Sequence, residues 1–257
     1  MAGMHTFFQR AARYVPRLGS RASAPECLDP WRQAGSQEID ETIQRVRGFT
    51  MTSPARLTAL CRALEYVAAN EIAGSIVECG VWRGGSMMAV ADTLRRLRSH
   101  DRDLYLFDTF SGMPPPQECD RRYDGVPAAA LLQETDRNTD DVWALCHLEK
   151  VRSAMQRIAY DPGRIHFVKG MIEDTVPRQA PDTIALLRLD TDWYESTRHE
   201  LVHLFPRLAV GGVLIIDDYG FWQGSRRAVD EYLAENRIPL LLCPIDETGR
   251  ICVKQRM

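Results

Sequence analysis

From about residue 54 onward, short apolar runs alternate with segments whose apolar residues recur every three or four positions. Ser75–Gly80 (SIVECG) reads as a buried strand ending on a turn signal. Ser86–Arg98 reads as a helix with a basic last turn, the charge a helix C-terminus favours. Leu104–Asp108 (LYLFD), Ile165–Gly170 (IHFVKG) and Ile184–Asp190 (IALLRLD) are further strands. Ser196–Leu208 returns to helix, Val213–Asp218 (VLIIDD) is a fifth strand, and Gly224–Asn236 is helical again. Leu240–Ile245 and Ile251–Lys254, on either side of the turn Glu247–Thr248–Gly249, form a terminal hairpin. Strands separated by helices predict an α/β fold: a doubly wound, mostly parallel sheet with helices on both faces. The antiparallel hairpin closes one edge.

Residues 110–147 break the alternation. They contain three successive prolines at 114–116, and Glu118–Asp141 carries seven acids against three arginines. A connection of this length is usually a lid or a mobile loop, and its place after the second strand puts it at the ligand-binding edge of the sheet. The chain divides into an N-terminal extension or helical cap over 1–50 and a main domain over 51–257, with this insertion inside it.

The first 25 residues hold Arg10, Arg13, Arg17 and Arg21 and no acid. FFQRAARYVPRL could form a short helix with one apolar face, interrupted at Pro16, but it lacks the apolar core of a signal peptide. It reads as a partly ordered tail. No apolar run is long enough to span a bilayer, and a formal charge of -3 over 257 residues makes no case for nucleic acid. Seven scattered cysteines without a CxxC pair argue against a disulfide framework and a zinc site, and fit a reducing, cytoplasmic setting.

The first strand leads through Glu78–Cys79–Gly80–Val81–Trp82–Arg83–Gly84–Gly85–Ser86 into a helix. The GxxxGG spacing is not the GxGxxG of nicotinamide enzymes, and a carboxylate at Glu78 would repel a pyrophosphate. Asp108 closes the second strand, where an acid can accept both hydroxyls of a ribose. A glycine loop and a ribose acid without pyrophosphate features point to S-adenosylmethionine. Asp190 and Asp192 follow the fourth strand, and Asp217 and Asp218 the fifth. In a parallel sheet both pairs emerge at one edge, where such crowded carboxylates require a cation. Oxygen ligands without nearby histidine or cysteine favour Mg²⁺ or Ca²⁺. Asp192, and less readily Asp218, are also readable as simple loop or helix caps.

In this order, ECGVWRGGS, LYLFDTF-SGMP, HFVKGMIEDTVP, LRLDTDWYEST and GGVLIIDDYG resemble the macrocin O-methyltransferase family. The resemblance runs from about Leu57 to Tyr232. It implies a class I methyltransferase fold and an S-adenosylmethionine- and Mg²⁺-dependent enzyme that methylates sugar or phenol hydroxyls on bacterial natural products. It implies Glu78, Cys79 and Gly80 beside the methionine and ribose portions of the cofactor, with Ser86 a weaker contact, and Asp108 on the ribose. Gly170, Met171 and Ile172 would frame the adenine, with Glu173 or Asp174 near its amino group. Asp190, Asp217 and Asp218 match the family's metal triad, and Asp190 lies where the family places its general base; His147 and the remaining histidines are the runners-up for that role. The resemblance further implies a small-molecule acceptor and a homodimer or larger homo-oligomer. Trp31 and Phe49 could pack over the cofactor or a second subunit. A small-phenol or catechol methyltransferase is the alternative within methyl transfer, and a nicotinamide oxidoreductase the alternative on the same fold. The catechol enzymes place a lysine after the first metal aspartate; Thr191–Asp192–Trp193–Tyr194 has none.

Overall fold

The computed structural model describes residues 36–256. The basic N-terminal segment and Trp31 lie outside them. Five parallel strands make up most of one seven-stranded sheet: β1 (Ser75–Cys79), β2 (Leu104–Asp108), β3 (Ile165–Lys169), β4 (Ile184–Leu189) and β5 (Leu208–Ile216). The order is β3-β2-β1-β4-β5-β7-β6, with β6 (Cys243–Pro244) and β7 (Arg250–Val253) antiparallel at one edge. The α/β reading and the closing hairpin both hold. β6 is shorter than the run Leu240–Ile245, where Pro239 and Pro244 remove ladder donors.

Successive strand residues point to opposite faces, which divides the core in two. Ile76, Leu106, Leu186 and Ile215 belong to one apolar layer, and their neighbours Val77, Phe107, Leu187 and Ile216 to the other. The first layer is covered by α1 (Ser36–Val46), α2 (Pro54–Ala69), α3 (Gly85–Arg96) and α5 (Leu148–Met155). The second is covered by α7 (Tyr194–Leu204) and α8 (Gln223–Glu235). All six residues of β4 are buried, so each of its leucines contributes on the order of 1.5–3 kcal/mol. α1 docks through a polar contact: the buried carboxylate of Asp92 on α3 accepts from Thr42 Oγ1 at 2.8 Å and pairs with Arg45.

Helix α7 ends at Leu204 rather than running to Leu208, and a 3₁₀ turn over Phe205–Arg207 follows. Pro206 has no amide to continue the α-helical ladder. Strand β5 then begins at Leu208, five residues earlier than the apolar run suggests. Buried Lys254 donates to the carbonyls of Phe205, Pro206 and Leu208 and satisfies this helix end.

The long insertion carries its own structure, a short α4 (Ala128–Gln133) and a 3₁₀ turn at Asp141–Trp143. It is tied to the main body at several points. Trp193 Nε1 donates to the Pro114 carbonyl at 2.9 Å, and Gln223 N–H to the Arg121 carbonyl at 2.8 Å. Ala128 and Leu132 of α4 share a buried apolar cluster with Trp193 and Trp222. No helix among the described residues is long and apolar enough to cross a membrane.

Candidate active site

Strand order reverses at β1, which has β2 on one side and β4 on the other. The carboxyl ends of β1, β4 and β5 therefore open a crevice at the switch point, where doubly wound sheets bind ligands. Register decides which side chains meet there. Glu78 lies opposite Arg188, and Arg188 opposite Ile215, so the first two share a face just before the strands end.

Arg188 is the centre of the arrangement. Its Nη1 pairs with Glu78 Oε1 and donates to Asp190 Oδ2 at 2.7 Å; its Nη2 donates to Asp217 Oδ1 at 2.6 Å and Thr52 Oγ1 at 2.9 Å. The side chain is 3% exposed. A second arginine, Arg56 on α2, pairs with Asp217 Oδ2 and reaches Asp246 at 3.0 Å. Both oxygens of Asp217 thus face guanidinium groups. Sequence reading assigned no role to Arg188, Arg56 or Thr52. One signal was present: an arginine inside a strand buried on both faces must find carboxylates, and IALLRLD has one within two residues.

Asp190, Asp192 and Asp218 bring one carboxylate oxygen each within 4.8 Å of one another. Two of these three belong to the triad expected from the sequence; Asp217, the other expected member, turns instead toward the arginines. Burial pushes Asp190 well above the usual carboxylate range against the pull of Arg188, with Asp217 and Asp218 adding repulsion. Burial and Asp192 do the same to Asp218, whose Oδ2 is buried without a hydrogen-bond partner among the described residues. Asp192 is pushed up to about 7, mainly by burial. A cation at this edge would relieve all three.

The remaining candidates line the same edge. Glu78 is 1% exposed and pushed up to about 7 by burial, and its Oε2 has no partner among the described residues. Asp108 holds the first loop: Oδ2 accepts the N–H groups of Val81 at 2.7 Å and Trp82 at 3.1 Å, and Oδ1 that of Phe110 at 2.6 Å. The fourth acceptor position of the carboxylate meets only Thr109 Oγ1, at 3.5 Å, whose proton has the nearer Gly112 carbonyl at 2.8 Å, so this is the position a ribose hydroxyl can take. Ser86 is buried at the start of α3, 3.4 Å from Thr52 Oγ1.

The glycines of the loop serve the protein's own backbone. Gly80 has φ +84°, and a Cβ there would overlap the Asp190 carbonyl; one at Gly85 would overlap Phe49. The loop is fitted against the Asp190 turn and the Phe49–Thr50 segment. Phe49 packs on the first core layer, with Arg157 over its ring. Trp82, Phe110 and Asp192, in the loops after β1, β2 and β4, each have positive φ, a locally strained backbone.

Gly170 follows β3 and donates its N–H to the Asp108 carbonyl at 3.0 Å. Met171 precedes the short α6 (Ile172–Thr175) and is 37% exposed, Ile172 is buried, and Glu173 Oε2 is buried without a partner among the described residues. Asp174 is exposed beside it. Cys79 faces the other side of the sheet, where the buried carboxyl of Glu200 accepts from Thr191 Oγ1 at 2.9 Å. His147 is exposed at the N-terminus of α5.

A model of the macrocin O-methyltransferase family matches residues 29–254. The chain is 36% identical over 200 residues to a demethyldecarbamoylnovobiocin O-methyltransferase from Streptomyces niveus, covering 78% of this chain and 73% of that protein. It is 34% identical over 200 residues to the 8-demethyl-8-(2,3-dimethoxy-alpha-L-rhamnosyl)-tetracenomycin-C 4'-O-methyltransferase of Streptomyces olivaceus, with the same 78% and 73% coverage. The solved structure of the O-methyltransferase NovP matches with a TM-score of 0.75 and 30% identity, over 86% of this chain and 100% of that one.

Proposed function

The chain belongs to the macrocin O-methyltransferase family and is an S-adenosylmethionine-dependent O-methyltransferase, and from that premise we propose that it methylates a sugar hydroxyl on a glycosylated natural product, with Mg²⁺ at its acidic edge. The observation that carries the metal is the convergence of Asp190, Asp192 and Asp218 beside Glu78 at the switch point. The acceptor class is carried by the relatives, one of which is named for a position on a rhamnosyl-bearing product.

The residues fit both groups. For the cofactor, the unpartnered Glu78 Oε2 suits an ammonium, the weakly held fourth position on Asp108 a ribose hydroxyl, and Gly170–Glu173 an adenine, with Gly80 and Ser86 flanking and Cys79 offering its backbone alone. For the cation, Asp190 and Asp218 belong both to the expected triad and to the observed cluster. We place Asp217 as the third ligand. Both of its oxygens now meet guanidiniums, so the cation takes it only by displacing one, and Arg56 keeps Asp246 as a partner when it lets go.

An alcohol holds its proton far above neutral pH and is a poor nucleophile. When bound, Mg²⁺ supplies the Lewis acidity that stabilises negative charge developing on the acceptor oxygen. The cofactor, when bound, would supply a sulfonium methyl that needs no activation by the protein, so the residues here orient the acceptor oxygen toward it and receive the acceptor's proton. A carboxylate takes the proton. Asp190, the expected base, has one oxygen on Arg188 and gives the other to the cation in this reading, so neither is free to receive a proton. Asp192 has no guanidinium contact and titrates near 7, so it suits the role better. The insertion, held at Trp193 and Gln223, shapes the acceptor side.

The test offers the purified protein labelled S-adenosylmethionine and a panel of glycosylated and phenolic acceptors. A labelled methyl ether on a sugar carbon, located by NMR, supports the reading. Transfer to phenols alone overturns the sugar assignment.

A further inference from the structure

We propose that Arg188 is a positioning residue that mechanically couples the cofactor loop to the metal aspartates. This rests on reading the site as a cofactor and cation pocket. The guanidinium is a single rigid plane buried among four acceptors on four different segments: Glu78 on β1, Asp190 after β4, Asp217 after β5 and Thr52 before α2. Glu78 and Asp190 share one nitrogen, Nη1, while Asp217 and Thr52 share Nη2. Strand register fixes Glu78 opposite Arg188, so a displacement of that carboxylate has a direct partner to act on.

A planar fork transmits direction as well as charge. Each aspartate gives one oxygen to Arg188, and that contact sets where its other oxygen points. Glu78 likewise keeps Oε1 on Arg188 while Oε2 remains unpartnered. When Glu78 turns to meet the cofactor, the guanidinium turns with it, and so do Asp190 and Asp217. A lysine has the charge but only a single point of contact, which cannot hold both pairs. The chain beyond the arginine is also connected: Thr52 lies 3.4 Å from Ser86 at the head of α3.

The test is calorimetry on the full chain, titrating S-adenosylhomocysteine and Mg²⁺ separately and together, with circular dichroism to confirm folding. Arg188→Lys should weaken Mg²⁺ binding about 10- to 100-fold, the usual cost of losing a group that orients metal ligands. Glu78→Asp keeps its charge but withdraws the carboxylate by one methylene. It should weaken Mg²⁺ binding about fivefold or more in the native background, and have no further effect in Arg188→Lys. The same loss in both backgrounds, or unchanged Mg²⁺ affinity in Arg188→Lys, overturns the proposal. If Arg188→Lys does not fold, Thr52→Val removes one guanidinium contact and leaves every charge in place. It should also weaken Mg²⁺ binding, and unchanged binding overturns the proposal. An unaltered protein that binds neither titrant overturns the functional reading itself, and this proposal with it.

Discussion

The Oδ1 of Asp120 accepts the backbone N–H of Tyr194 at 2.8 Å, so a residue of the long insertion caps the helix that follows the acidic edge. Trp193, the N-terminal flanking residue of α7, makes no side-chain cap of its own. The other oxygen of Asp120 accepts from Gln117 N–H at 2.7 Å, and Gly224 of α8 packs so closely that a Cβ there would overlap the carboxylate. Asp120→Asn puts a donor where an acceptor is needed and should cost about 1–3 kcal/mol. Hydrogen exchange should then quicken across 117–128. Unchanged exchange would mean that the Trp193–Trp222 cluster alone holds the insertion.

Gly80 and Gly125 offer a matched pair. Both have positive φ, +84° and +88°, so alanine at either carries a left-handed strain of about 1–2 kcal/mol. Only at Gly80 would the new Cβ also overlap a backbone carbonyl, that of Asp190; nothing lies within 4 Å at Gly125. Gly80→Ala should therefore lose S-adenosylhomocysteine binding and destabilise the fold by more than about 3 kcal/mol, adding overpacking to strain. Gly125→Ala should cost about 1–2 kcal/mol and leave binding intact. Equal losses in thermal and calorimetric measurements would show that strain, not the approach to Asp190, dominates.

The strands were legible because each is an apolar run bounded by turn residues, and the edge on which Glu78, Asp108 and the aspartates gather follows from parallel pairing alone. What pattern could not give was the partner of each carboxylate. Crowded aspartates demand a positive charge, and the expectation assigned that charge wholly to a metal. Arg188, three-dimensionally opposite Glu78, supplies part of it, but an arginine in a hydrophobic run names no partner until register is known. Arg56 enters from α2, far away in sequence, and periodicity contains no trace of that contact. The structure within the insertion escaped for a related reason: α4 is six residues long and is held by tertiary packing on Trp193 and Trp222, not by local propensity.

Glu78 and Asp192 are both pushed up to about 7 by burial, far above the unfolded carboxylate range. Between about pH 4.5 and 7 the folded protein therefore binds more protons than the unfolded chain. The stability these groups contribute is full below their unfolded pKa values and falls as pH rises through 7, at up to about 1.4 kcal/mol per pH unit for each. A cation held by the neighbouring aspartates favours the charged forms of Glu78 and Asp192 through space, and so opposes those protons without ligating either group. The rise in Tm on adding Mg²⁺ should grow from pH 5 to pH 8 in differential scanning fluorimetry. A rise that is flat or shrinks with pH would detach the ion from this cluster.

Asp217 and Asp192 divide the roles of ligand and base between them, and their asparagine variants can be read separately. Asp217 sits among positive groups and contacts no described part of the cofactor loop except through Arg188. Asp217→Asn should weaken Mg²⁺ binding by about tenfold or more and lower activity, while S-adenosylhomocysteine affinity changes much less. Asp192→Asn should leave Mg²⁺ binding within about threefold, lower kcat by about 10²–10⁴, and remove the acid limb near pH 7 from the rate profile. Asp190→Asn keeps a single oxygen, which can serve the ion or Arg188 but not both, and should be the most damaging of the three. Chelation by EDTA should abolish transfer in the unaltered enzyme, and added Mg²⁺ should restore it. If Asp192→Asn instead loses the metal while Asp217→Asn keeps it, the ion sits on the Asp190–Asp192–Asp218 cluster as the side chains now stand, and Asp217 is only an anchor for the two arginines. Full activity after chelation would remove the ion from the mechanism and leave a carboxylate base to act alone.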